Sequence, residues 1–207
     1  MSLLAVNPGA YYHLESFESP RYREYFNQLV RPEDLGDVDL QAFDTILIPC
    51  RTPANRMIPH APRLAAFLAQ GGTVVATGES RSDLWLPGFR FHAQATNYWW
   101  WREAQGDLGI QITNPAHAIF NYLTPESLTW HLHGWFDLAE GADVIASNAE
   151  GKPILAIDTV TTRGRMVLTT LDPFYHHGSH FMPATTWFLD GFLPWIASLR
   201  SDNGNGV

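Results

Sequence analysis

Short apolar runs that end abruptly in polar loops constrain this chain most. Leu3–Val6 is such a run and stops at Asn7-Pro8-Gly9. Residues 45–48, Thr-Ile-Leu-Ile, form a second, and residues 73–76, Thr-Val-Val-Ala, a third. Runs without polar alternation belong to strands buried on both faces of a parallel sheet. Between the second and third lies a helix pattern over 63–70, with Leu64, Phe67 and Leu68 on one side and Gly71-Gly72 as its stop. Strand, loop and helix therefore repeat, which implies parallel strands joined by right-handed crossovers. In open sheets of that kind ligands sit beyond the carboxyl ends of the strands. Residues 7–13, 50–56 and 78–85 would meet there.

Other elements are expected as follows. Ser19-Pro20 reads as a helix start, with Tyr22, Tyr25, Phe26 and Leu29 on one face. Residues 32–35 would hold a brief edge strand, and 50–59 a polar loop. Residues 89–102 should begin with a strand-like excursion, and 110–113, 144–147, 153–158 and 165–170 read as further strands. A closing helix over 183–199 has Trp187, Phe188, Phe192, Trp195 and Ile196 to bury, and Pro194 should kink it. The whole is expected as one domain over 1–200, with an aromatic-rich insertion over 89–136 and a disordered tail over 201–207.

Composition narrows the function. Charged residues are 16% of the 207, the net charge is −8, and Lys152 is the single lysine. No basic run is present, so nucleic acid is not an expected partner. No apolar stretch is long enough for a membrane span and the first residues do not read as a secretory signal, so a cytoplasmic protein is expected. One cysteine, Cys50, excludes an internal disulfide and a cysteine-rich metal centre. No cofactor motif is present. The 8 Trp, 7 Tyr and 12 Phe exceed what one core needs. Those at 97–135 suit a homo-oligomer interface or a ligand lid.

The order of landmarks carries a resemblance. Phe43-Asp44-Thr45-Ile46-Leu47-Ile48-Pro49 is followed by residues 64–75, LAAFLAQGGTVV. Then come Pro115-Ala116-His117-Ala118-Ile119-Phe120 and Gly164-Arg165-Met166-Val167-Leu168-Thr169-Thr170-Leu171-Asp172-Pro173. The chain resembles the class I glutamine amidotransferase-like superfamily. Within it, the trehalose-utilisation (ThuA-like) proteins and the trimerisation domain of certain β-galactosidases are the nearest branches. It is also similar to an uncharacterised bacterial group carrying Trp130-His131-x-His133-Gly134 and Asp172-Pro173-x-Tyr175-His176-His177-Gly178. The resemblance implies an α/β, flavodoxin-like three-layer sandwich with a mainly parallel central sheet.

True amidotransferases place a cysteine between glycines in a strained elbow, which exposes the sulfur and aims backbone N–H groups at the oxyanion. The matching stretch here is Gly78-Glu79-Ser80-Arg81-Ser82, without a cysteine or a second glycine. No carboxylate follows His176-His177-Gly178, so glutaminase activity is not expected. The expected role is binding of a small polar ligand, with carbohydrate as one class, or of a partner subunit. Asn7, Tyr11, His13, Cys50, Arg51, Arg56, Trp99, His131 and His133 are the candidate ligand-binding residues. Glu79, Ser80, His176 and His177 are the candidate catalytic ones.

Three rival readings remain open at this level. Ser80 with His176 or His177 could form a nucleophile–base pair. The histidines at 131 and 133 and those at 176, 177 and 180, with Asp172, could serve a metal-assisted sugar enzyme, although their spacing matches no established ligand pattern. The domain could also act only in oligomerisation.

Overall fold

The computed structural model describes residues 2–199 apart from 97, 105, 131 and 181, with Trp101 described in its backbone only. The tail expected over 201–207 lies outside the described residues.

In chain order the elements are β1 (Leu3–Val6), α1 (Tyr11–Glu18), β2 (Gln28–Val30), β3 (Thr45–Ile48), α2 (Ala54–Met57), α3 (Ala61–Ala69) and β4 (Thr73–Thr77). There follow β5 (Arg90–Ala93), β6 (Gln111–Ile112), β7 (Gly134–Asp137), β8 (Asp143–Ser147), β9 (Pro153–Asp158), β10 (Arg165–Thr169), α4 (Pro173–Gly178) and α5 (Pro183–Ser198). Eight strands form one sheet in the order β2-β1-β3-β4-β10-β9-β8-β6. The strands from β2 to β10 pair in parallel, and β10, β9, β8 and β6 pair antiparallel. The molecule is thus mixed α/β around a large, mainly parallel sheet. A small antiparallel sheet of β5 and β7 stands beside it.

The apolar runs behave as their composition demands: β1, β3 and β4 are buried along their whole length. Side chains alternate between the two faces. Leu3, Ala5, Leu47, Val75 and Val167 join Phe17, Phe174 and Phe188 in one cluster. Leu4, Val6, Ile46, Ile48, Val74 and Leu168 join Leu64, Phe67 and Leu68 in the other. Helix α3 ends as expected, with Gly71 at φ 95°.

The segment after Ser19 departs from its expected helix. Residues 20–22 turn, Arg23–Tyr25 is one 3-10 turn, and Gln28–Val30 is the edge strand. Asn27 explains why. Its side-chain oxygen accepts from the Leu3 N–H at 2.7 Å, and its own N–H donates to the Leu3 carbonyl at 2.9 Å, so the chain is clamped alongside β1. Tyr22 is buried with its hydroxyl on Asp190 and the Thr186 carbonyl. The helix lies upstream instead, as α1. Pro32–Asp37 is a 3-10 turn rather than a strand, and the expected loop over 50–59 contains α2.

The tryptophans divide. Trp85, Trp130 and Trp195 are core residues, whereas Trp99 is exposed, and so is Trp187, contrary to the expectation that the closing helix buries it. No helix among the described residues is long and apolar enough to cross a membrane.

Helix α1 packs closely on α4, and Ser16 of α1 donates to the Phe174 carbonyl at 2.7 Å. At the crossing, a Cβ on Gly178 would stand 1.9 Å from the Tyr12 carbonyl oxygen. Gly178→Ala should therefore force the two helices apart and lower stability by about 1–3 kcal/mol, the range for overpacked sites. Urea unfolding of the variant against wild type measures it.

Candidate functional site

The carboxyl ends of β3, β4 and β10 meet around one carboxylate. Asp172 follows β10, and its side chain is fully buried. It is the residue before α4, yet it makes no side-chain cap to that helix. One carboxylate oxygen lies 2.9 Å from His133 Nε2 and the other 3.0 Å from His176 Nε2. Arg51 follows β3, and its Nη2 approaches the same carboxylate at 3.5 Å. Glu79, after β4, completes the group at 3.7 Å from Arg51 and 3.6 Å from His133 Nδ1. Arg51 also lies over the Tyr175 ring at 3.8 Å, a cation–π contact that fixes the guanidinium plane.

Local backbone constraints make this convergence possible. The His133 N–H donates to the Thr170 carbonyl at 3.2 Å, which ties the segment before β7 to the end of β10. His176 stands four residues after Asp172 on α4, one helical turn along the same face. The Gly78 N–H donates to the Thr169 carbonyl at 2.7 Å, with φ at 63°. A Cβ there would stand 2.4 Å from the Cys50 Cβ and 3.0 Å from the Asp172 Cβ, so only glycine lets the three strand ends close. Arg51 itself has φ 61°, a left-handed conformation that costs about 1–3 kcal/mol in a non-glycine residue.

Burial alone would push the Asp172 carboxyl up, but the contacts from His133 and then His176 outweigh it and hold it far below the usual carboxylate range. Burial lowers His133, and Asp172 followed by Glu79 reverses this, leaving it above the ordinary imidazole value. Asp172 is thus ionised, and His133 is disposed to carry the matching proton. Burial first, then the Asp172 charge, raises the Cys50 thiol well above its usual range in spite of Arg51. Cys50 is a buried apolar residue here, not a thiolate.

Of the residues expected from sequence, Arg51, Glu79, His133 and His176 come together. The Ser80 side chain is adjacent in sequence but buried, and its hydroxyl has no hydrogen-bond partner among the described residues. The elbow stretch is not strained at Glu79 or Ser80, since the positive φ values fall at Gly78 and Arg81. His177 turns elsewhere, bonded to the Thr186 hydroxyl at 2.8 Å and packed on Tyr22. It lines, with His180 and Met182 and next to His176, a cavity of about 230 Å³. Asn7 accepts from the Gly9 N–H in a local turn, and Tyr11 is exposed. Arg56 is paired with Glu33 and donates to the Pro8 carbonyl. Trp99 is exposed beside Arg102. His131 lies outside the described residues. Sequence reasoning named Asp172 only in the rival metal reading, and it did not name Tyr175 or Tyr98 as site residues, the last with its ring 5.9 Å from that of His133. Asp172 had a visible signal: a carboxylate directly after a buried strand, four residues before a histidine.

No protein-family model matches the sequence, and no curated protein matches it. Solved structures share its fold. The N-terminal domain of mmIFT52 superimposes with a TM-score of 0.56 at 13% identity, covering 99% of this chain and 100% of that one. A ThuA-like protein of Bacteroides uniformis gives 0.52 at 12% identity, covering 99% and 93%. The exo-β-1,4-mannosidase Op5Man5 of an Opitutaceae bacterium gives 0.54 at 14% identity. The match covers 98% of this chain but 36% of the mannosidase chain, so this chain corresponds to about a third of that enzyme. Identities this low speak for the fold.

His13 offers a test of this region. It is fully buried, and its Nε2 donates to the Cys50 carbonyl at 2.9 Å. Burial lowers its pKa from 6.5 to about 4. The unfolded chain therefore takes up the proton first, and stability falls as pH drops from 6.5 toward about 4. His13→Gln keeps a donor for Cys50 and does not titrate. Urea melts across that window should show a shallower loss for His13→Gln than for wild type.

Proposed function

We propose that this chain is a flavodoxin-like, three-layer domain of the amidotransferase-like, ThuA-like kind that binds a small polyhydroxylated ligand, a carbohydrate or sugar acid, at the carboxyl ends of its parallel strands. The observation that carries the reading is the convergence of Arg51, Glu79 and His133 over the buried Asp172. Arg51 and Glu79 are 33% and 41% exposed, so both can reach a ligand, while Asp172 cannot. Guanidinium, carboxylate and imidazole together supply donors and acceptors for vicinal hydroxyls. Tyr98, 46% exposed beside His133, supplies the apolar face on which a sugar ring packs. The ThuA-like and mannosidase neighbours share the fold on which this reading builds.

The elbow chemistry of glutaminases has no counterpart in this reading. Glu79 stands at the elbow, Ser80 is buried beside it, and Cys50 is a buried thiol one strand away. A ligand's hydroxyl would donate a hydrogen bond to Glu79 and its oxygens would accept from Arg51, with the His133 ring holding its place between Glu79 and Asp172.

Calorimetry and thermal shift with hexoses, disaccharides and hexuronates test this. At least one of these classes should bind and raise Tm. Arg51→Ala and Glu79→Gln should each weaken it about 10- to 100-fold, as expected for hydrogen bonds to charged groups. Tyr98→Ala should weaken it less. Equal affinity in all three variants, or no binding by any class, would overturn the reading.

A further inference from the structure

We propose that His133, Asp172 and His176 bind a divalent first-row transition-metal ion, so that the polar floor of the site is a metal centre. One ring nitrogen from each histidine and one Asp172 carboxylate oxygen lie within 4.8 Å of one another. All three side chains are at most 3% exposed. Two imidazoles and one carboxylate are a donor set that such ions accept, with a position left for water or a ligand.

The fold selects this set in a way spacing could not show. Each histidine cluster in the sequence contributes one member. His133 arrives on the segment tied to Thr170, and His176 arrives one turn into α4. Both aim Nε2 at Asp172.

Two further features fit an ion. Glu79 faces Nδ1 of His133, on the side of the ring away from Asp172, at 3.6 Å. A carboxylate in that place orients a metal-bound imidazole and raises its basicity. Arg51 and Glu79 are the exposed members of the group, so a ligand reaching the ion would pass beside them. With both histidines neutral, the ion, Arg51, Asp172 and Glu79 sum to one positive charge. A bound hydroxide or a ligand carboxylate would neutralise it. A hexuronate or other hydroxy acid, bridging the ion and Arg51, is thus favoured over a neutral sugar.

This deepens the reading above, which places the ligand at the same mouth, but its test stands apart. Metal uptake is measured without any sugar, and sugar binding can be measured on chelator-treated protein. Purified full chain, stripped with chelator, is titrated with Co²⁺ by visible absorption and calorimetry. Saturation at one ion per chain, with displacement by Zn²⁺, is expected. His133→Asn and His176→Asn should each weaken Co²⁺ by at least about 100-fold, beyond the 10- to 100-fold expected for Glu79→Gln as an outer partner. His92→Asn, on β5 and paired with Asp137, should bind as wild type does. Should the ligand variants fail to fold, X-ray absorption of Co²⁺-loaded wild type gives the answer alone: two imidazole ligands are expected. No stoichiometric uptake, uptake unchanged in the histidine variants, or a Co²⁺ shell without imidazole would each overturn the proposal.

Discussion

A carboxylate with no exposed surface organises this end of the molecule. An unpaired buried charge costs several kcal/mol, and breaking a buried pair by removing one partner costs about 3–5 kcal/mol. Asp172 therefore cannot sit where it does unless cationic or donor groups reach it. They come from three separate parts of the chain: Arg51 from the end of β3, His133 from the segment before β7, and His176 from α4. The backbone accommodates them at a cost. Arg51 takes a left-handed φ, and Gly78 lies where a side chain would strike both Cys50 and Asp172. The strain and the close approach follow from the same demand, to bring three strand ends around one charge.

The sequence makes half of this arrangement legible, and the physical reason for the division is clear. Parallel strands buried on both faces write themselves as apolar runs, so β1, β3 and β4 can be read directly, as can the strands β8, β9 and β10 within a residue or so at their ends. The helix expected after Ser19 fails because Tyr22, Tyr25, Phe26 and Leu29 have helical spacing but a different task. Tyr22 is buried against α5, and Asn27 pins the chain to β1 through two backbone contacts that no periodicity encodes. The site divides the same way. Arg51 and Glu79 follow apolar runs and are placed by topology alone. The partnership of His133 with Asp172 depends on β7 and on how its approach meets β10, which is a tertiary fact. His177 shows the limit: it is chemically identical to His176 and adjacent to it, yet one helical step turns it to Thr186 and Tyr22.

The aromatic surplus resolves along similar lines. Trp130 lies in the stretch that suggested an insertion, yet it is fully buried, packed edge-on to Phe188 of α5 and to His176. It therefore helps to wall the His176 ring and lower the local dielectric, which strengthens the contact with Asp172. Tyr175 does the corresponding work for Arg51, and Tyr98 approaches His133 from the exposed side. Three of the aromatic residues thus form a casing for the charged group, in addition to those that fill the core.

That casing bears on residues 78–82, the stretch that the resemblance aligns with a nucleophile elbow. A nucleophile elbow needs an exposed side chain on a tight turn, with open space in front of it for an oxyanion. Here the turn at Gly78 is packed so tightly that a Cβ would strike the Cβ atoms of Cys50 and Asp172, and the residue that follows it is a carboxylate and not a nucleophile. The only thiol of the chain lies behind that turn, and its burial beside an ionised carboxylate holds it protonated. What reaches solvent at the strand ends is instead a carboxylate and a guanidinium, each held by the buried histidine–aspartate group. Such a surface binds by pre-organised charge and hydrogen bonding, with its entropy cost met when the chain folds rather than when the ligand arrives.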